Sequence, residues 1–158
     1  MLHHTRWRLA EAGFSPYEIS NYARDGEECR HDLLYWNGGS YLGLGPSAAS
    51  HVEGTRWKNR PHLGEWEAAV QKNEIPAIDV ERLTPSQRAS ELIMLQLRLR
   101  HGVDAAAVEK LSGVNTLEQH AATLERLAKL KLIGLGDDSF HLTERGIDVA
   151  DSISAEFA

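Results

Sequence analysis

The sequence predicts an α+β protein with two parts, an α/β segment at residues 1–78 and a small, mainly helical, winged-helix-like domain at residues 79–158. The chain opens with a helix pattern, a short turn and a strand-like alternation, which is the order of an α/β repeat. Residues 73–82 contain Pro76 and show no helical period, so we place the boundary between the parts there. Beyond that boundary, helix-cap signatures and a hairpin pattern follow one another.

The first part combines two helix patterns with three short strand patterns. Gly13 follows the first helix pattern and suits the position after a helix end. Glycine recurs at every second position of the second strand pattern, which leaves one strand face bare. An α/β repeat needs parallel neighbours, and too few are visible, so we expect the chain to begin within a larger fold. The predicted strands are 17–22, 41–45 and 55–59, the predicted helices are 5–12 and 61–72, and residues 23–32 are a predicted loop.

The second part is predicted from helix caps and one hairpin. Thr, Asp and Asn residues stand where each apolar helical pattern begins, and glycines stand where two of the patterns end. Three helices, a hairpin and a final helix are the order of a winged helix. The elements are a helix opened by Thr84 and Pro85 and ended by Gly102, a helix capped by Asp104 and closed by Gly113, a helix from Asn115 to Lys131, strands at 133–135 and 140–142, and a helix capped by Thr143.

Composition limits the class of protein. A net charge of −6 argues against a nucleic-acid partner. No run approaches the roughly 18 apolar residues of a membrane span, so we expect no stable membrane insertion. The first residues lack the apolar core of a signal peptide. The single cysteine permits no internal disulfide and fits a cytoplasmic location, and it cannot supply the thiolates of an iron–sulfur cluster or a Cys-rich zinc site.

Residues 43–48, with glycine at positions 43 and 45, loosely match the glycine fingerprint of a dinucleotide fold. That chemistry requires a helix N-terminus directly after the glycines, so that helix amides hold a pyrophosphate. Here Pro46 is followed by small residues without a helical period. The sequence therefore favours close backbone packing, with the glycines as one wall of a ligand pocket.

Eight histidines raise the question of a metal site. Cys29 and His31 lie two residues apart, but no second pair has the spacing of a four-ligand zinc site. Haem iron needs only one or two axial ligands, so Cys29, His31 and His51 are candidate haem-iron ligands. The alternative for each of them, an ordinary solvated or hydrogen-bonded side chain, stays open.

Several motifs of the first part occur in one order and spacing: AGF at 12–14, YEISNYA at 17–23, CRH at 29–31, YW at 35–36, YLGLGPSA at 41–48 and GTRWKN at 54–59. Together they resemble the oxygen-independent coproporphyrinogen III oxidase-like family of radical S-adenosylmethionine (SAM) proteins, in its haem-chaperone branch. LTERG at 142–146 resembles the C-terminal domain of that family. The resemblance implies that residues 1–78 are the C-terminal fragment of an incomplete (β/α) barrel, and that the chain acts in porphyrin or haem metabolism.

The resemblance also implies what the chain lacks. The [4Fe–4S] cluster of the family is bound by a C-x3-C-x2-C motif, which this sequence does not contain, and most SAM contacts lie upstream. We therefore expect that the chain alone holds neither the cluster nor SAM and is not catalytically competent. The expected partners are the missing N-terminal barrel portion, a porphyrin or haem, and a haem-acceptor protein. The family commonly has histidine where this chain has Ala49, and His51 follows two residues later.

The residues proposed for a substrate or haem pocket are Tyr17, Glu18, Ser20, Asn21, Tyr35, Trp36, Gly43, Gly45 and Ser47. On a strand only one alternating set faces inward, which favours Glu18 and Ser20, with Tyr17 and Ile19 as the other register. Two further functions stay open, a stand-alone haem-binding or protein-interaction module and a winged-helix DNA binder. DNA binding is less favoured because the acidic wing tip at 137–138 would meet phosphate with like charge.

Overall fold

The computed structural model describes residues 2–158 and shows a mixed α/β chain with small, open antiparallel sheets. The chain divides into two compact units, of which the first contains the residues up to Asn37 together with Pro85–Ala158, and the second contains Gly38–Thr84. The helices are α1 (Leu2–Glu11), α2 (Arg30–Trp36), α3 (Leu63–Gln71), α4 (Pro85–Gln96), α5 (Ala105–Ser112), α6 (Thr116–Gln119), α7 (Ala121–Lys129), α8 (Glu144–Ile147) and α9 (Ala150–Ser154), followed by a 3₁₀ turn at Ala155–Phe157. The strands are β1 (Ser15–Pro16), β2 (Tyr22–Ala23), β3 (Ala49–Val52), β4 (Thr55–Asn59), β5 (Ala77–Arg82), β6 (Val103–Asp104), β7 (Ile133–Leu135) and β8 (Ser139–Leu142).

The first unit starts with α1 and a tight hairpin. Gly13 has a φ of +79°, the left-handed conformation predicted for the residue after this helix. The predicted strand at 17–22 is wrong, because β1 and β2 pair antiparallel and the residues between them form the turn. The physical reason is Glu18, whose carboxylate accepts hydrogen bonds from the Ser20 amide and the Asn21 side chain and so bends the backbone.

Helix α2 begins inside the segment that the sequence predicted as a loop, 23–32. It is seven residues long, and its N-cap residue Cys29 makes no side-chain capping bond. No local signal therefore marks its start. Contacts from elsewhere in the first unit hold the helix: the hydroxyl of Tyr17 donates to Asp32 at 3.0 Å, and the guanidinium of Arg98 lies over the ring of Trp36.

Three of the predicted helix caps of the second part are confirmed by the structure, and the helix predicted to end at Gly102 ends earlier, at Gln96. Side-chain oxygens of Asp104, Asn115 and Thr143 each accept a backbone N–H of the first turn that follows. Gly113 ends α5 in the left-handed conformation, as predicted. The third and final predicted helices are each interrupted, since His120 separates α6 from α7 and 148–149 separate α8 from α9.

The core of the first unit forms where α4, α5 and α7 pack with the sheet of order β6-β8-β7. Both pairs in this sheet are antiparallel, and β7 and β8 form the predicted hairpin. The C-terminal turn closes the core, because Phe157 is fully buried and stacks on Phe140 with ring centroids 5.6 Å apart. The buried apolar residues of this core are Ala89, Leu92, Ile93, Leu97, Val103, Val108, Leu124, Leu127, Ile133, Phe140, Leu142, Ile147, Ala150, Ile153 and Phe157.

The second unit contains an antiparallel sheet of order β3-β4-β5 and helix α3. Strand β4 coincides with the predicted strand at 55–59, and α3 lies within the predicted helix at 61–72. The predicted strand at 41–45 is wrong beyond one isolated bridge between Tyr41 and His51. Residues 77–82, predicted as part of an irregular boundary, form strand β5, whose backbone pairs with β4 across a register shift.

The two compact units do not coincide with the predicted division of the chain at residue 78, because the two divisions rest on different properties. The units group residues by proximity within this chain, whereas the prediction of 1–78 and 79–158 concerns the origin of each segment and stays a prediction. Within the described residues, no helix has both the length and the apolar character needed to cross a membrane.

Candidate functional site

Glu18 is the centre of the first unit's polar interior. Its side chain is 0% exposed, and it accepts hydrogen bonds at 2.9 Å from the backbone N–H of Ser20 and from Nδ2 of Asn21. Its other oxygen lies 2.5 Å from a guanidinium nitrogen of Arg98. A buried carboxylate is costly unless it is paired and hydrogen-bonded, and Glu18 meets both conditions.

Arg98 extends this network to helix α2. Its guanidinium carbon lies 4.8 Å from the centre of the Trp36 ring, which is the geometry of a cation–π contact. The backbone carbonyl of Arg98 accepts the N–H of Ile19, and the N–H of Arg100 donates to the carbonyl of Tyr17, each at 3.0 Å. Arg98 and the backbone of Arg100 therefore connect three segments, namely the hairpin, the chain after α4 and helix α2.

Tyr17 makes a second connection to α2. Its hydroxyl donates to a carboxylate oxygen of Asp32 at 3.0 Å. Burial, together with the hydrogen bond and the negative charge of Asp32, raises the pKa of Tyr17 to about 12. The phenol is therefore a hydrogen-bond donor and not a base at neutral pH.

The outer surface of α2 carries the reactive side chains. Cys29 and His31 are both exposed, and the imidazole of His31 meets the ring of Tyr35 edge-on with centroids 4.7 Å apart. His31 and Tyr35 are four residues apart, so they lie on one face of the helix. Within residues 2–158, no group of three or more His, Cys, Asp or Glu side chains has the arrangement of a metal site. The face offers a single accessible imidazole and a nearby thiol.

In the second unit, residues 43–45 are held by two polar side chains of the sheet. The hydroxyl of Ser50 accepts the N–H of Gly43, and Nδ2 of Asn59 donates to the carbonyls of Gly43 and Gly45. A Cβ on Gly43 would lie 2.3 Å from the carbonyl oxygen of Ala49, so only glycine fits. Residues 46–48 lead into strand β3 and not into a helix, so this run lacks the helix amides that hold a pyrophosphate.

His51 is buried in the same unit, and both of its ring nitrogens are engaged. Nδ1 lies 3.1 Å from the carbonyl oxygen of Gly39, and Nε2 accepts the N–H of Gly54 at 3.2 Å. This pattern corresponds to a neutral imidazole with the proton on Nδ1. A metal ion at His51 would have to displace the Gly54 amide.

The residues proposed for a pocket fall in both units. Glu18 is buried while Ser20 is exposed, so the two do not form one strand face, and Gly45 and Ser47 have left-handed backbones. The first unit brings together Tyr17, Glu18, Ser20, Asn21, Cys29, His31, Tyr35 and Trp36, and the second unit contains Gly43, Gly45, Ser47 and His51. The assignment of these residues to a substrate or haem pocket stays a prediction.

Sequence reasoning missed two residues of this site, Asp32 and Arg98. Arg98 lies in an LRLR run at 97–100, in which alternate residues are apolar. Such a run suggests alternation of buried and exposed side chains, and it contains no sign that one arginine pairs with a glutamate 80 positions earlier. The long-range pairing became visible only in the folded chain.

Comparison with known proteins places this chain among longer relatives. The family described as HemN C-terminal domain matches residues 83–149. A protein of Mycobacterium tuberculosis named heme chaperone HemW is 36% identical over 149 residues, covering 92% of this chain and 35% of that protein. A protein of the same name from Bacillus subtilis is 28% identical over 150 residues, covering 95% of this chain and 40% of that protein.

One solved structure matches almost the whole chain. It is coproporphyrinogen III oxidase (HemN) from Escherichia coli, described as a radical SAM enzyme, with a TM-score of 0.73 at 18% identity. The match covers 99% of this chain and 39% of that structure. The chain thus spans well under half the length of these relatives. It belongs to the oxygen-independent coproporphyrinogen III oxidase-like radical SAM family, on the side of the haem chaperones, and corresponds to the C-terminal portion of its relatives.

Proposed function

We propose that this chain is the C-terminal portion of a haem-chaperone-like radical SAM protein, and that helix α2 binds haem as cargo through His31. The observation that carries the proposal is the contrast between the histidines. The imidazole of His31 is exposed, whereas both ring nitrogens of the buried His51 are hydrogen-bonded. A neutral imidazole is a common axial ligand of haem iron, and His31 offers one without unfolding any part of the chain.

The surroundings of His31 suit a flat, apolar macrocycle. Tyr35 lies on the same helix face, and the exposed Leu34 lies beside it in the sequence. Aromatic and aliphatic side chains supply the contact area that a porphyrin plane needs. Cys29, exposed at the N-cap of the helix, is the alternative ligand on this face. Relatives with similar sequence are named haem chaperones, which supports haem as the cargo.

The [4Fe–4S] cluster and SAM belong, in this proposal, to the N-terminal barrel portion of the full-length protein. The chain contains one cysteine, so its own residues do not fit a cluster that needs three. The proposed contribution of the chain is to hold and release haem, with the N-terminal barrel portion and a haem-acceptor protein as its partners and the cytoplasm as its location.

The proposal extends to the architecture of both segments. Residues 83–142 contain, in order, helix α4, strand β6, the three helices α5, α6 and α7, and the strands β7 and β8, and β6 pairs with β8. This order supports a winged-helix-like domain for residues 79–158. Residues 1–78 would adjoin a barrel whose parallel strands lie in the N-terminal portion, because the strands described in this segment pair antiparallel. The sheet β3-β4-β5 would then lie beside that barrel and would contribute no strand to it.

Titration of the 158-residue chain with ferric haemin tests the haem assignment. We expect saturable binding with a shifted Soret band. His31→Ala should abolish the binding or weaken it by at least about tenfold, which corresponds to about 1.4 kcal/mol of binding free energy, because it removes the proposed axial ligand. His101→Ala, which removes another exposed histidine of the first unit, should leave the spectrum unchanged. Cys29→Ala reports whether the thiol contributes.

Two results would contradict the assignment. One is a Soret band that survives His31→Ala and is lost on His51→Ala, which would move the ligand to the second unit. The other is haemin uptake that is unsaturable and identical in all the variants, which would mean non-specific adsorption. Circular dichroism of each variant establishes that the fold is retained.

A further inference from the structure

We infer that Arg98 is a positioning residue for the proposed haem site: it holds helix α2 in place through Trp36, although it belongs to the segment that matches the HemN C-terminal domain. This inference rests on the proposed function of α2. It assigns a role in haem binding to a residue that touches neither candidate ligand on the helix. The consequence is that the C-terminal segment controls the geometry of the haem-binding surface.

The position of Arg98 is fixed independently of α2. Its guanidinium pairs with the fully buried carboxylate of Glu18 at 2.5 Å, and its carbonyl accepts the N–H of Ile19. An isolated bridge joins Glu18 to Leu99. Both the side chain and the backbone of Arg98 are therefore attached to the hairpin, which fixes the position of the guanidinium.

The position of Trp36, by contrast, depends on packing. Its indole Nε1 is buried without a hydrogen-bond partner among the described residues, so no directional bond orients the ring. The guanidinium carbon of Arg98 lies over the ring, 4.8 Å from its centre. A cation–π contact is stronger when both groups are partly desolvated, and the Arg98 side chain is only 30% exposed.

Trp36 is the last residue of α2, and His31 lies on the same short helix. A helix of this length is unstable by itself, because too few internal hydrogen bonds offset the cost of nucleation. Two side-chain contacts attach its two ends to the rest of the first unit, Tyr17 to Asp32 in the first turn and Arg98 to Trp36 at the end. Removing the contact between Arg98 and Trp36 should let the end of the helix move, so that the imidazole of His31 no longer has a fixed orientation.

Hydrogen–deuterium exchange of peptides covering Arg30–Trp36, measured without haem, tests the positioning role directly. We expect Arg98→Met to increase the exchange rate of this segment by about tenfold, the fold-change that corresponds to one stacked cation–π contact. Arg100→Met is the matched control, because Arg100 pairs with Glu144 and lies outside the contact with Trp36. Haemin titration of the same variants should show a weaker affinity and an altered Soret band for Arg98→Met only.

A second variant separates positioning from loss of fold. Arg98→Met leaves the Glu18 carboxylate buried without its partner, so the double variant Glu18→Gln/Arg98→Met removes both charges and keeps an oxygen for Ser20 and Asn21. We expect it to recover thermal stability while α2 still exchanges fast. Wild-type exchange rates in both variants would overturn the inference, as would fast exchange with unchanged haem affinity. If the wild-type chain shows no His31-dependent Soret band, the proposed function fails, and the exchange rates still decide whether Arg98 orders α2.

Discussion

At the scale of single residues, buried polar side chains determine the local backbone structure of this molecule more than its exposed reactive side chains do. Glu18 takes part in a turn, an ion pair and a bridge, and Asn59 fixes two glycine carbonyls. These groups are not available to act on a substrate, because breaking their hydrogen bonds would leave buried polar atoms without partners, which costs free energy. The exposed Cys29 and His31 lie at the start of α2, whose last residue, Trp36, contacts Arg98, the ion-pair partner of Glu18.

The pKa of Tyr17 provides a direct measure of the contact with α2. Asp32→Asn removes the negative charge and leaves burial as the main cause, so the pKa should fall from about 12 towards the ordinary value of 10.0. The folded pKa is raised, so the stability that this contact contributes is complete below pH 10 and is lost as pH rises towards 12. The ultraviolet absorbance of tyrosinate, taken as the difference from the Tyr17→Phe variant, reports this titration. An unchanged pKa in Asp32→Asn would show that the carboxylate has no part in it.

At the scale of elements, the sequence predicted the start of a helix where a capping side chain accepts a backbone N–H of the turn that follows it. Asp104, Asn115 and Thr143 were identified from sequence because a cap acts within three residues. Helix α2 could not be identified in this way, because the contacts that hold it come from Tyr17 and Arg98, which are distant in sequence. The turn at 17–21 is made locally by Glu18 with Ser20 and Asn21, but the ion pair that permits burial of Glu18 comes from Arg98, 80 positions later. His31, Tyr17, Glu18 and Trp36 were named as candidates from the sequence, whereas Asp32 and Arg98, which contact Tyr17 and Trp36, were not.

The C-terminal 3₁₀ turn should respond to acid through His120. Its ring packs edge-on against Phe157 at 5.1 Å, and its Nε2 is buried without a partner among the described residues. Burial lowers the pKa of His120 below its ordinary value of 6.5. On acidification the unfolded chain therefore takes up a proton at His120 more readily than the folded chain does. The contribution of His120 to the free energy of unfolding is fully present above pH 6.5 and declines as pH falls below 6.5 towards the lowered pKa.

Urea denaturation at pH 7.5 and pH 5.5 measures this response. We expect a lower midpoint at the acidic pH and a smaller difference for His120→Phe, which keeps an aromatic contact with Phe157 and removes the titrating group. His141→Phe removes an exposed histidine and should retain the wild-type difference. An equal loss of stability on acidification in His120→Phe would assign the effect to other groups.

At the scale of the whole molecule, the two units differ in how they are stabilised. The first unit has a continuous apolar core. Of the side chains described in Gly38–Thr84, the one buried apolar residue is Ala69, and the others that are buried are the polar Ser50, His51 and Asn59. Several large apolar side chains of this unit are exposed instead, with Leu44 at 90% and Ile75 at 75%. Together with Leu42 and Val70 they line an open groove, and an exposed apolar surface of this kind is typical of an interface.

This asymmetry predicts unequal local stability within the 158-residue chain. Amides of β3, β4 and β5 should exchange with opening free energies roughly 2 kcal/mol or more below those of α4 and β8, because little apolar area is lost from water when the second unit closes. Native-state hydrogen exchange resolved by peptide measures both sets in one experiment. In a longer chain that includes the proposed N-terminal portion, protection of 38–84 should rise while that of α4 stays constant. Equal protection of the two units in the 158-residue chain would mean that they open together and that the polar contacts of Ser50 and Asn59 stabilise the second unit as strongly as an apolar core would.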